Sequence, residues 1–307
     1  MKTIVYITCP GHSGSTLLDM LIGTHPSILS TGELVHLPNQ YYRNQRYDPT
    51  PSNGLICSCL YSFYECSLWK NIFNYLNLKL GYDLYKNPLK FKIAFLMKHS
   101  IPHQSIWNKI IRRILVFSII NHLNIIDWIL IKLNKHKIQN NILLYKSLWK
   151  LTSKEIIIDS TKDPIRLHFL LKADINVKVI VLRRNILGVS ASGKKLNINP
   201  INSAKLWLKF YHEIKYILEW NNIKPLYVNY EDVIDNTTAT LNKIFKFIGV
   251  NKTSKAKTKL NGSDYHLVAG NGLRYKSNFE IINDEIYKKL LTLDEQQDIL
   301  ELQHQKK

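Results

Sequence analysis

The sequence predicts an α/β fold in which helices cover both faces of a central parallel sheet. Four short, mostly apolar runs predict strands, at residues 3–8, 155–158, 177–182 and 225–229. Continuous apolar runs of this kind are typical of parallel strands that are buried on both faces. A helical pattern follows each of the first three runs, and this alternation of strand and helix is typical of α/β proteins.

The three helices that follow these strands are predicted at residues 15–23, 164–172 and 186–194. Asp163 is expected to cap the second helix, because a carboxylate accepts hydrogen bonds from the free N–H groups of the first turn. Pro164 suits the first helical position, since its fixed φ angle matches the helix.

The stretch of residues 67–150 is rich in Leu, Ile, Lys and Asn and predicts helix throughout. We interpret it as a helical insertion that covers the sheet and shapes an acceptor site, within a single domain of residues 1–307. Apolar residues recur at helical spacing in two stripes, which predicts core packing for both. The stripes are Trp107, Ile110, Ile111, Ile114 and Leu115 in the insertion, and Trp207, Phe210, Tyr211, Ile214 and Ile217 further on.

The 307-residue chain is strongly basic, with a formal net charge of +19 at pH 7. Such a charge favours anionic partners, namely nucleotides, nucleic acid, sulfated or acidic substrates, or a membrane surface. The alternative is that most of the excess is solvated surface charge. The chain opens directly into a predicted strand, and polar residues interrupt its most apolar later stretch, residues 114–131. We therefore expect a cytoplasmic enzyme without a secretory signal or a transmembrane segment.

A loop rich in glycine and serine joins the first strand to its helix, and it reads Cys-Pro-Gly-His-Ser-Gly-Ser-Thr at residues 9–16. Gly11 and Gly14 let the backbone approach a ligand closely, and the helix start at Ser15 and Thr16 offers free N–H groups to an anion. The pattern predicts a phosphate or sulfate site. It differs from the P-loop of nucleotide triphosphatases, which needs glycine and lysine where this chain has cysteine and serine.

Together with two motifs that follow it, this loop resembles the 5′-phosphosulfate loop of sulfotransferases that use 3′-phosphoadenylyl sulfate (PAPS), in particular the bacterial and carbohydrate-type enzymes. The chain reads Gly-His-Ser-Gly-Ser-Thr-Leu-Leu from Gly11, Thr-His-Pro-Ser from Thr24 and Thr-Gly-Glu-Leu from Thr31. The resemblance implies a P-loop-like sulfotransferase fold and PAPS as cosubstrate. Most members carry Arg or Lys where this chain has His12. His12 supplies positive charge if it is protonated, or donates a hydrogen bond if it is neutral.

Motifs after the second and third predicted strands extend the resemblance. Asp-Ser-Thr-Lys-Asp-Pro places Lys162 at the end of a strand, where open α/β sheets bind ligands. After the third strand, Arg184 and Ser192 have the spacing with which the family holds the 3′-phosphate. A planar guanidinium fork and a hydroxyl suit phosphate oxygens, and Arg183 and Ser190 are neighbouring alternatives.

Two distal motifs also resemble the family. Tyr-Glu-Asp-Val at residues 230–233 matches a segment whose role is largely structural. His-Leu-Val-Ala-Gly-Asn-Gly-Leu-Arg at residues 266–274 matches a segment near the family's C-terminus. Its glycines and Arg274 are expected to close over the 3′-phosphate.

The resemblance implies a full set of site residues. Those expected to bind the cosubstrate are Gly11, His12, Ser13, Gly14, Ser15, Thr16, Arg184, Ser192, Gly270, Asn271 and Arg274. The expected catalytic residues are His12, Lys162 and Glu33, since some carbohydrate sulfotransferases use a Glu just beyond the loop as the base. His36 is the alternative base. The alternative role for Glu33 is a hydrogen bond to nearby backbone. The acceptor, a hydroxyl or an amine on a carbohydrate, lipid, peptide or small metabolite, is not identified.

Three cysteines, Cys57, Cys59 and Cys66, lie close together ahead of the predicted insertion. A structural zinc site needs four ligands, so this spacing supplies three, and Cys9 or a histidine is the candidate for the fourth. The alternative is reduced, partly buried thiols, and a similar arrangement occurs in some bacterial sulfotransferases. The sequence alone assigns no metal here.

Two other functions stay open at this point. The apolar run that ends at Asp159 also resembles the Mg²⁺-binding strand of a nucleotide triphosphatase, which favours a P-loop-like nucleotide kinase that uses ATP. The net charge of +19 also permits a non-enzymatic binder of nucleotides or polyanions. The sequence contains no recognisable nucleic-acid-binding module, so no nucleic acid partner is expected.

Overall fold

A computed structural model of the protein describes residues 2–47, 50, 52, 54–96, 106–252, 257, 259–280 and 287–304. The strands are β1 Thr3–Thr8, β2 Ile28–Ser30, β3 Ile156–Asp159, β4 Val177–Arg183, β5 Leu226–Asn229, β6 Lys259–Leu260 and β7 Phe279–Glu280. The helices are α1 Ser15–Ile22, α2 Leu37–Asn44, α3 Ser67–Leu80, α4 Ile106–Ile120, α5 Asn124–Leu133, α6 Lys135–Thr152, α7 Pro164–Leu171, α8 Ile186–Lys194, α9 Pro200–Trp220, α10 Tyr230–Asp235, α11 Thr237–Ile248, α12 Tyr287–Leu290 and α13 Leu293–His304.

Strands β1 to β5 form one parallel sheet in the order β2-β3-β1-β4-β5, and β6 and β7 form a separate antiparallel pair. At the centre of the sheet, Tyr6 of β1 lies opposite Asp159 of β3 and Val179 of β4. The predicted central parallel sheet flanked by helices is therefore confirmed. The sequence did not predict strand β2, because three residues are too few to show an apolar run.

Alternate side chains of β1 point to opposite faces of the sheet and belong to two different cores. Ile4 and Tyr6 pack in a core shared with helices α3 to α6. Val5 and Ile7 pack in a second core shared with α1 and α11. All four side chains are fully buried. The sheet is covered on both faces, which explains the continuous apolar character of its strands.

The predicted insertion, residues 67–150, forms helices α3 to α6, but it is not helical throughout. Helix α3 ends at Gly81, whose left-handed φ of 69° is typical of a helix C-terminus. Within the described residues 81–96, the helical structure is one 3-10 turn at Pro88–Lys90. The prediction is wrong for this part of the stretch, and residues 97–105 lie outside the described part of the chain.

The apolar stretch of residues 114–131 is broken between α4 and α5, where His122 has a left-handed φ of 55°. A membrane span needs about 20 consecutive residues in one apolar helix. Among the helices of the described residues, none combines enough length with enough apolar character to cross a membrane.

The two apolar stripes differ in their burial. In α4, Leu115 is fully buried, but Trp107, Ile110 and Ile114 are 69%, 38% and 44% exposed. The core-packing prediction is therefore wrong for most of this stripe, because α4 packs against α5 and α9 on one side and faces solvent on the other. In α9, by contrast, every residue of the stripe is buried or half-buried.

The carboxyl ends of the parallel strands meet at one edge of the sheet, and the loops after β1, β3 and β4 lie there. Asp163 and Asn185 begin the helices that leave this edge. Their side chains accept hydrogen bonds from the backbone N–H groups of Ile165 and Leu187, at 3.1 and 2.9 Å. Asp163 is thus the predicted cap of α7. These caps fix the direction in which each loop leaves the sheet.

Candidate active site

A cavity of about 700 Å³ lies at the carboxyl edge of the sheet. Its lining combines the loop before α1 with residues from the ends of β3 and β4 and from the C-terminal part of the chain. The described lining residues are Gly11, His12, Gly14, Ser15, Thr16, Leu17, Glu33, Lys162, Arg184, Ser192, Lys195, Leu196, Tyr230, Gly270, Asn271, Gly272, Leu273 and Lys276. We call it the loop cavity.

Most of the predicted site residues thus lie around one space. Two of the predicted site residues, Ser13 and Arg274, are not among the described residues that line the loop cavity. Ser13 is buried within the loop. Arg274 is also buried, and its guanidinium donates to the Gly54 carbonyl at 2.9 Å and to the Tyr275 hydroxyl. The structure therefore directs Arg274 into the protein, and Lys276, two residues later, lines the cavity in its place.

Gly14 determines the shape of the loop. It caps α1 with a left-handed φ of 88°, which residues with a Cβ rarely adopt. A Cβ at this position would lie 2.3 Å from the Tyr230 ring, so glycine is required on steric grounds as well. Ser15, Thr16 and Leu17 of the first turn of α1 line the cavity. The N–H groups of a first turn have no partners within the helix and favour anions.

Arg184 lies beside this loop and is largely buried. It donates to the His12 carbonyl at 2.6 Å and to the Ser192 hydroxyl at 3.2 Å. Its guanidinium also lies 4.5 Å from the centre of the Tyr230 ring. The neighbouring alternative, Arg183, is exposed and stacks over a different ring. Of the two arginines, Arg184 has the position for an anion in the loop cavity.

Lys162 and Glu33 both line the loop cavity and form an ion pair, with 2.6 Å between Nζ and Oε1. The other Glu33 oxygen lies 3.4 Å from His36 Nε2. Burial alone would raise the pKa of Glu33, but Lys162 and His36 outweigh it and lower that pKa to about 2. Burial would likewise lower the pKa of Lys162, and the Glu33 carboxylate raises it instead. Both groups are therefore charged at neutral pH.

Two of the predicted catalytic residues have strained backbones. His12 and Lys162 adopt φ angles of 65° and 74°, in the left-handed region that side chains disfavour. Hydrogen bonds hold both in place: the His12 carbonyl accepts from Arg184, and the Lys162 carbonyl accepts from the Thr8 hydroxyl at 2.6 Å. Such strain costs about 1–3 kcal/mol per residue and is concentrated at functional sites.

The protonation state of His12 follows from its surroundings. Burial lowers the pKa of His12 below its usual value, and the positive charges of Lys162 and Arg184 lower it further. Of the two roles considered for His12, the structure favours the neutral imidazole that donates a hydrogen bond. The positive charge near the loop comes from Lys162 and Arg184, with Lys195 and Lys276 also in the lining.

The segment after β6 closes one side of the loop cavity. Gly270 has a φ of 144°, and a Cβ there would lie 2.8 Å from Thr16 Oγ1. The backbone N–H of Asn271 donates to the same hydroxyl at 3.0 Å. The predicted Gly-Asn segment therefore touches the start of α1 directly, and this close approach depends on glycine.

A second cavity of about 460 Å³ adjoins the first and shares Gly11, His12, Glu33 and Lys162 with it. Its other side has an apolar wall and several charged groups, and we call it the helix cavity. The wall consists of Val189, Ile198, Leu206, Trp207 and Phe210, and the polar residues include His36, Arg112, Lys209 and Glu213. The three predicted catalytic residues therefore stand where the two cavities meet.

Arg112 of α4 is the contribution of the insertion to the described lining of the helix cavity. It donates to Asp163 at 2.8 Å and to Glu213 at 3.0 Å. Most of the wall comes instead from α9. The insertion, predicted to shape the acceptor site, reaches this cavity through Arg112.

Asp159, which raised the possibility of a Mg²⁺ site, is fully buried. One of its carboxylate oxygens pairs with Arg166 at 3.0 Å and accepts from Tyr145 at 2.6 Å. The other oxygen accepts from the backbone N–H and the hydroxyl of Thr161. Both oxygens are thus engaged in the core, and Asp159 is not among the described residues that line either cavity.

Sequence reasoning missed three polar residues of the loop cavity, namely Tyr230, Lys195 and Lys276. Tyr230 lay in a motif to which only a structural role was assigned. Lys195 follows Ser192 by three residues, a spacing that places two side chains on neighbouring parts of a helix surface, so it could have been found. Lys276 lies beyond the motif that ends at Arg274 and had no comparable signal.

Comparison with known proteins supports the fold. No family model and no curated protein matches the sequence. Among solved structures, the chain is similar to the sulfotransferase domain of the Synechococcus PCC 7002 olefin synthase, with a TM-score of 0.50, 17% identity and coverage of 98% of this chain and 94% of that one. A sulfotransferase domain from the curacin biosynthetic pathway aligns with a TM-score of 0.49, 15% identity and coverage of 99% and 98%. The predicted sulfotransferase fold is confirmed by the first of these.

Proposed function

We propose that the protein is a sulfotransferase that uses PAPS and transfers its sulfuryl group to a hydroxyl or amine acceptor. One observation carries the proposal: a cavity suited to anions and a partly apolar cavity meet at His12, Glu33 and Lys162. A transferase with two substrates needs such a junction, because the reacting groups must come within about 3–3.5 Å of each other.

The residues of the loop cavity fit the two anionic ends of PAPS. The free N–H groups of the first turn of α1 and the loop around Gly11 suit the 5′-phosphosulfate. Arg184 and Ser192, already 3.2 Å apart, suit the 3′-phosphate, because a guanidinium fork and a hydroxyl can share its oxygens. Lys195 and Lys276 add positive charge around the same space. The close approaches at Gly14 and Gly270 bring backbone to the edge of the cavity.

PAPS supplies an activated sulfuryl group: an acceptor atom forms a bond to sulfur, the bond to the 5′-phosphate oxygen breaks, and adenosine 3′,5′-bisphosphate leaves. Negative charge grows on the departing phosphate oxygen. Lys162 and the N–H groups of α1 stabilise that charge, and neutral His12 donates a hydrogen bond to it.

We assign Glu33 as the base that takes the acceptor's proton. Its carboxylate stands where the two cavities meet, and it is ionised at neutral pH. The low pKa caused by Lys162 works against proton uptake, because a base is most effective when its pKa lies near the working pH. When Lys162 binds an anion in place of Glu33, that effect weakens and the pKa of Glu33 rises. His36, 3.4 Å from Glu33, is the alternative base.

The same contacts argue against the two other functions. A kinase of the P-loop type needs a lysine in the loop, where this chain has Ser15, and a carboxylate for Mg²⁺, whereas Asp159 is engaged with Arg166. A general polyanion binder needs an open basic surface, whereas the charges here converge on a defined cavity beside a second one. The helix cavity, with its apolar wall and Arg112, fits an acceptor that has an apolar part.

Thermal stabilisation by adenosine 3′,5′-bisphosphate tests the proposal without knowledge of the acceptor. A ligand that binds only the folded state raises Tm. At a hundred times its Kd, it raises the free energy of unfolding by about 2.7 kcal/mol. We expect the bisphosphate to raise Tm more than ATP with Mg²⁺ does. Stabilisation by ATP and Mg²⁺ alone would instead favour the kinase and would overturn the proposal.

A further inference from the structure

Four side chains that can bind a metal come together outside the two cavities. They are Cys57, Cys59 and Cys66 from the loop before α3, and His266 from the segment after β6. The candidate ligand atoms all lie within 4.8 Å of one another. The imidazole Nδ1 lies 3.8 Å from Cys57 Sγ and 3.3 Å from Cys66 Sγ. His266 is therefore the fourth member that the sequence left open between Cys9 and a histidine.

These distances match a tetrahedral metal site. Zinc lies about 2.3 Å from thiolate sulfur and about 2.0–2.1 Å from imidazole nitrogen, so its ligand atoms are about 3.5–3.8 Å apart. Small movements from the observed separations produce that geometry. A disulfide explains the arrangement less well, because it uses two of the three thiols, and all four cysteines are free in the structure.

Hydrogen bonds around the cluster hold the two segments together. The Ser58 hydroxyl donates to the Tyr265 carbonyl at 2.7 Å and accepts from the Leu267 N–H at 2.8 Å. The Trp69 indole donates to the His266 carbonyl at 2.9 Å. These bonds flank His266 on both sides along the chain. The imidazole is thereby positioned against the thiols by contacts that do not use the four candidate ligand atoms.

We propose that Cys57, Cys59, Cys66 and His266 bind one zinc ion in a structural site. The occupied site holds three thiolates and a neutral imidazole, so it carries a net charge of −1, and binding releases the protons that these groups carry in the metal-free protein. No electron transfer is involved. Four protein ligands fill the tetrahedron, so no position remains for a substrate or a reactive water, which distinguishes a structural zinc site from a catalytic one.

The position of the site suggests what it stabilises. Cys66 is the N-cap of α3, the first helix of the insertion, and Cys57 and Cys66 are fully buried. His266 precedes the segment that contacts α1 through Gly270 and Asn271. A zinc ion here would fasten the start of the insertion to the segment that closes the loop cavity. The site does not depend on the proposed sulfuryl transfer.

Metal analysis of the full-length protein tests this site. The protein is purified without chelators from cells grown with added zinc, and zinc is measured by mass spectrometry. We expect about one zinc per chain. The Cys59→Ser variant should retain less than about a tenth of this amount, because serine is a poor zinc ligand. Cys59 is the best position to change, since it is the half-exposed thiol of the three.

Matched controls separate the cluster from other thiols and imidazoles. Cys9→Ser removes the buried cysteine outside the cluster, and His212→Gln removes an exposed histidine of α9, and both should keep the full zinc content. If Cys59→Ser does not fold by circular dichroism, Co²⁺ titration of the metal-free wild-type protein decides. A thiolate-to-cobalt charge-transfer band and tetrahedral visible bands support the site. Their absence, full zinc in folded Cys59→Ser, or a disulfide detected by mass would overturn the proposal.

Discussion

The carboxyl edge of the sheet and helices α3 to α6 use their residues in opposite ways. At the edge, a few residues are held by specific contacts and backbone conformations: His12 and Lys162 have left-handed backbones, and Arg184 donates to the His12 carbonyl and the Ser192 hydroxyl. Helices α3 to α6 present many similar apolar residues, and some are exposed, among them Trp128 at 54% and Leu133 at 66%.

The two regions should therefore differ in how they tolerate substitutions. In the proposed reaction, the chemistry at the edge depends on a few polar atoms at set distances, so a single substitution there should remove a function that no neighbour can replace. In α3 to α6, coverage of the sheet depends on apolar volume shared among many side chains, and cores tolerate substitutions that keep this volume. Substitutions at the edge should therefore alter ligand binding and turnover, whereas substitutions in the helices should alter stability according to burial.

The largest effect is expected at Glu33. The Glu33→Gln variant keeps the shape of the side chain but loses the charge that pairs with Lys162 and the ability to take a proton. Turnover should fall by about 10²–10⁴-fold, the usual contribution of a positioned base. The rate of bisphosphate release from PAPS measures this, and stabilisation by the bisphosphate should persist. The His36→Asn variant is the control, with a smaller loss expected. Full turnover in Glu33→Gln would exclude Glu33 as the base.

Stability in the insertion should follow burial, and two adjacent residues of α4 test this. Leu115 is fully buried, whereas Ile114 is 44% exposed. Leu115→Ala should lower the free energy of unfolding by about 2–5 kcal/mol, because it leaves a cavity in the core. Ile114→Ala should lower it by less than about 1 kcal/mol. Urea denaturation of both variants measures the difference. Equal losses would mean that the outer face of α4 is covered in solution.

Much of the carboxyl edge could be predicted because its signals are local. The freedom of Gly14 and the Asp163 cap each depend on a few neighbouring residues and on backbone sterics, and the spacing of Arg184 and Ser192 belongs to a short motif that resembles the family's. Four of the five strands of the parallel sheet were predicted for the same reason, since an apolar run is visible within a short window. Arg184 and Ser192, predicted to lie together, are joined by a hydrogen bond in the structure.

The rest depends on contacts between distant parts of the chain. Tyr230 lies against Gly14, and His266 lies against cysteines that are two hundred or more positions away in the sequence. No local pattern encodes such contacts, because they arise from the order of the strands and the path of the loops. Similarly, the apolar stripe of α4 indicates that one face is hydrophobic but not that another element covers it. Arg274 lay in a matching motif, yet the path of its backbone directs the side chain towards Gly54.

A smaller effect, on ligand binding, is expected at Arg183 and Arg184. The position of the guanidinium at the edge of the sheet should matter more for binding than its charge alone. Arg184→Ala should weaken binding of adenosine 3′,5′-bisphosphate by about 30-fold, or about 2 kcal/mol, because charged hydrogen bonds to phosphate are lost. Arg183→Ala removes the same charge from an exposed side chain stacked over Tyr227 and should have little effect. Isothermal titration calorimetry measures both. Arg184→Lys should bind with intermediate affinity, since it keeps the charge but not the planar fork. Comparable losses in the two alanine variants would assign the effect to net charge.

The smallest effect concerns pH and Asp19, a fully buried residue of α1 whose carboxylate contacts the segments after β2 and β3. Its carboxylate accepts from Ser160 at 2.7 Å and from the Gly32 N–H at 3.0 Å. Burial raises the pKa of Asp19 from 3.8 to about 7, and these hydrogen bonds only partly oppose that rise. Between these two pKa values the folded state keeps a proton that the unfolded state has lost, so stability falls as pH rises through this window and is level above it.

The Asp19→Asn variant has no such proton to lose. Relative to wild type, it should therefore gain stability between pH 5 and pH 8, by at least about 1 kcal/mol, since each unit of pKa elevation is worth about 1.4 kcal/mol. Urea denaturation of both proteins at the two pH values measures the gain, and all other titrating groups cancel in the comparison. Parallel pH dependence in the two proteins would mean that Asp19 is ionised in the fold without cost, and that the edge of the sheet tolerates a buried charge beside Ser160.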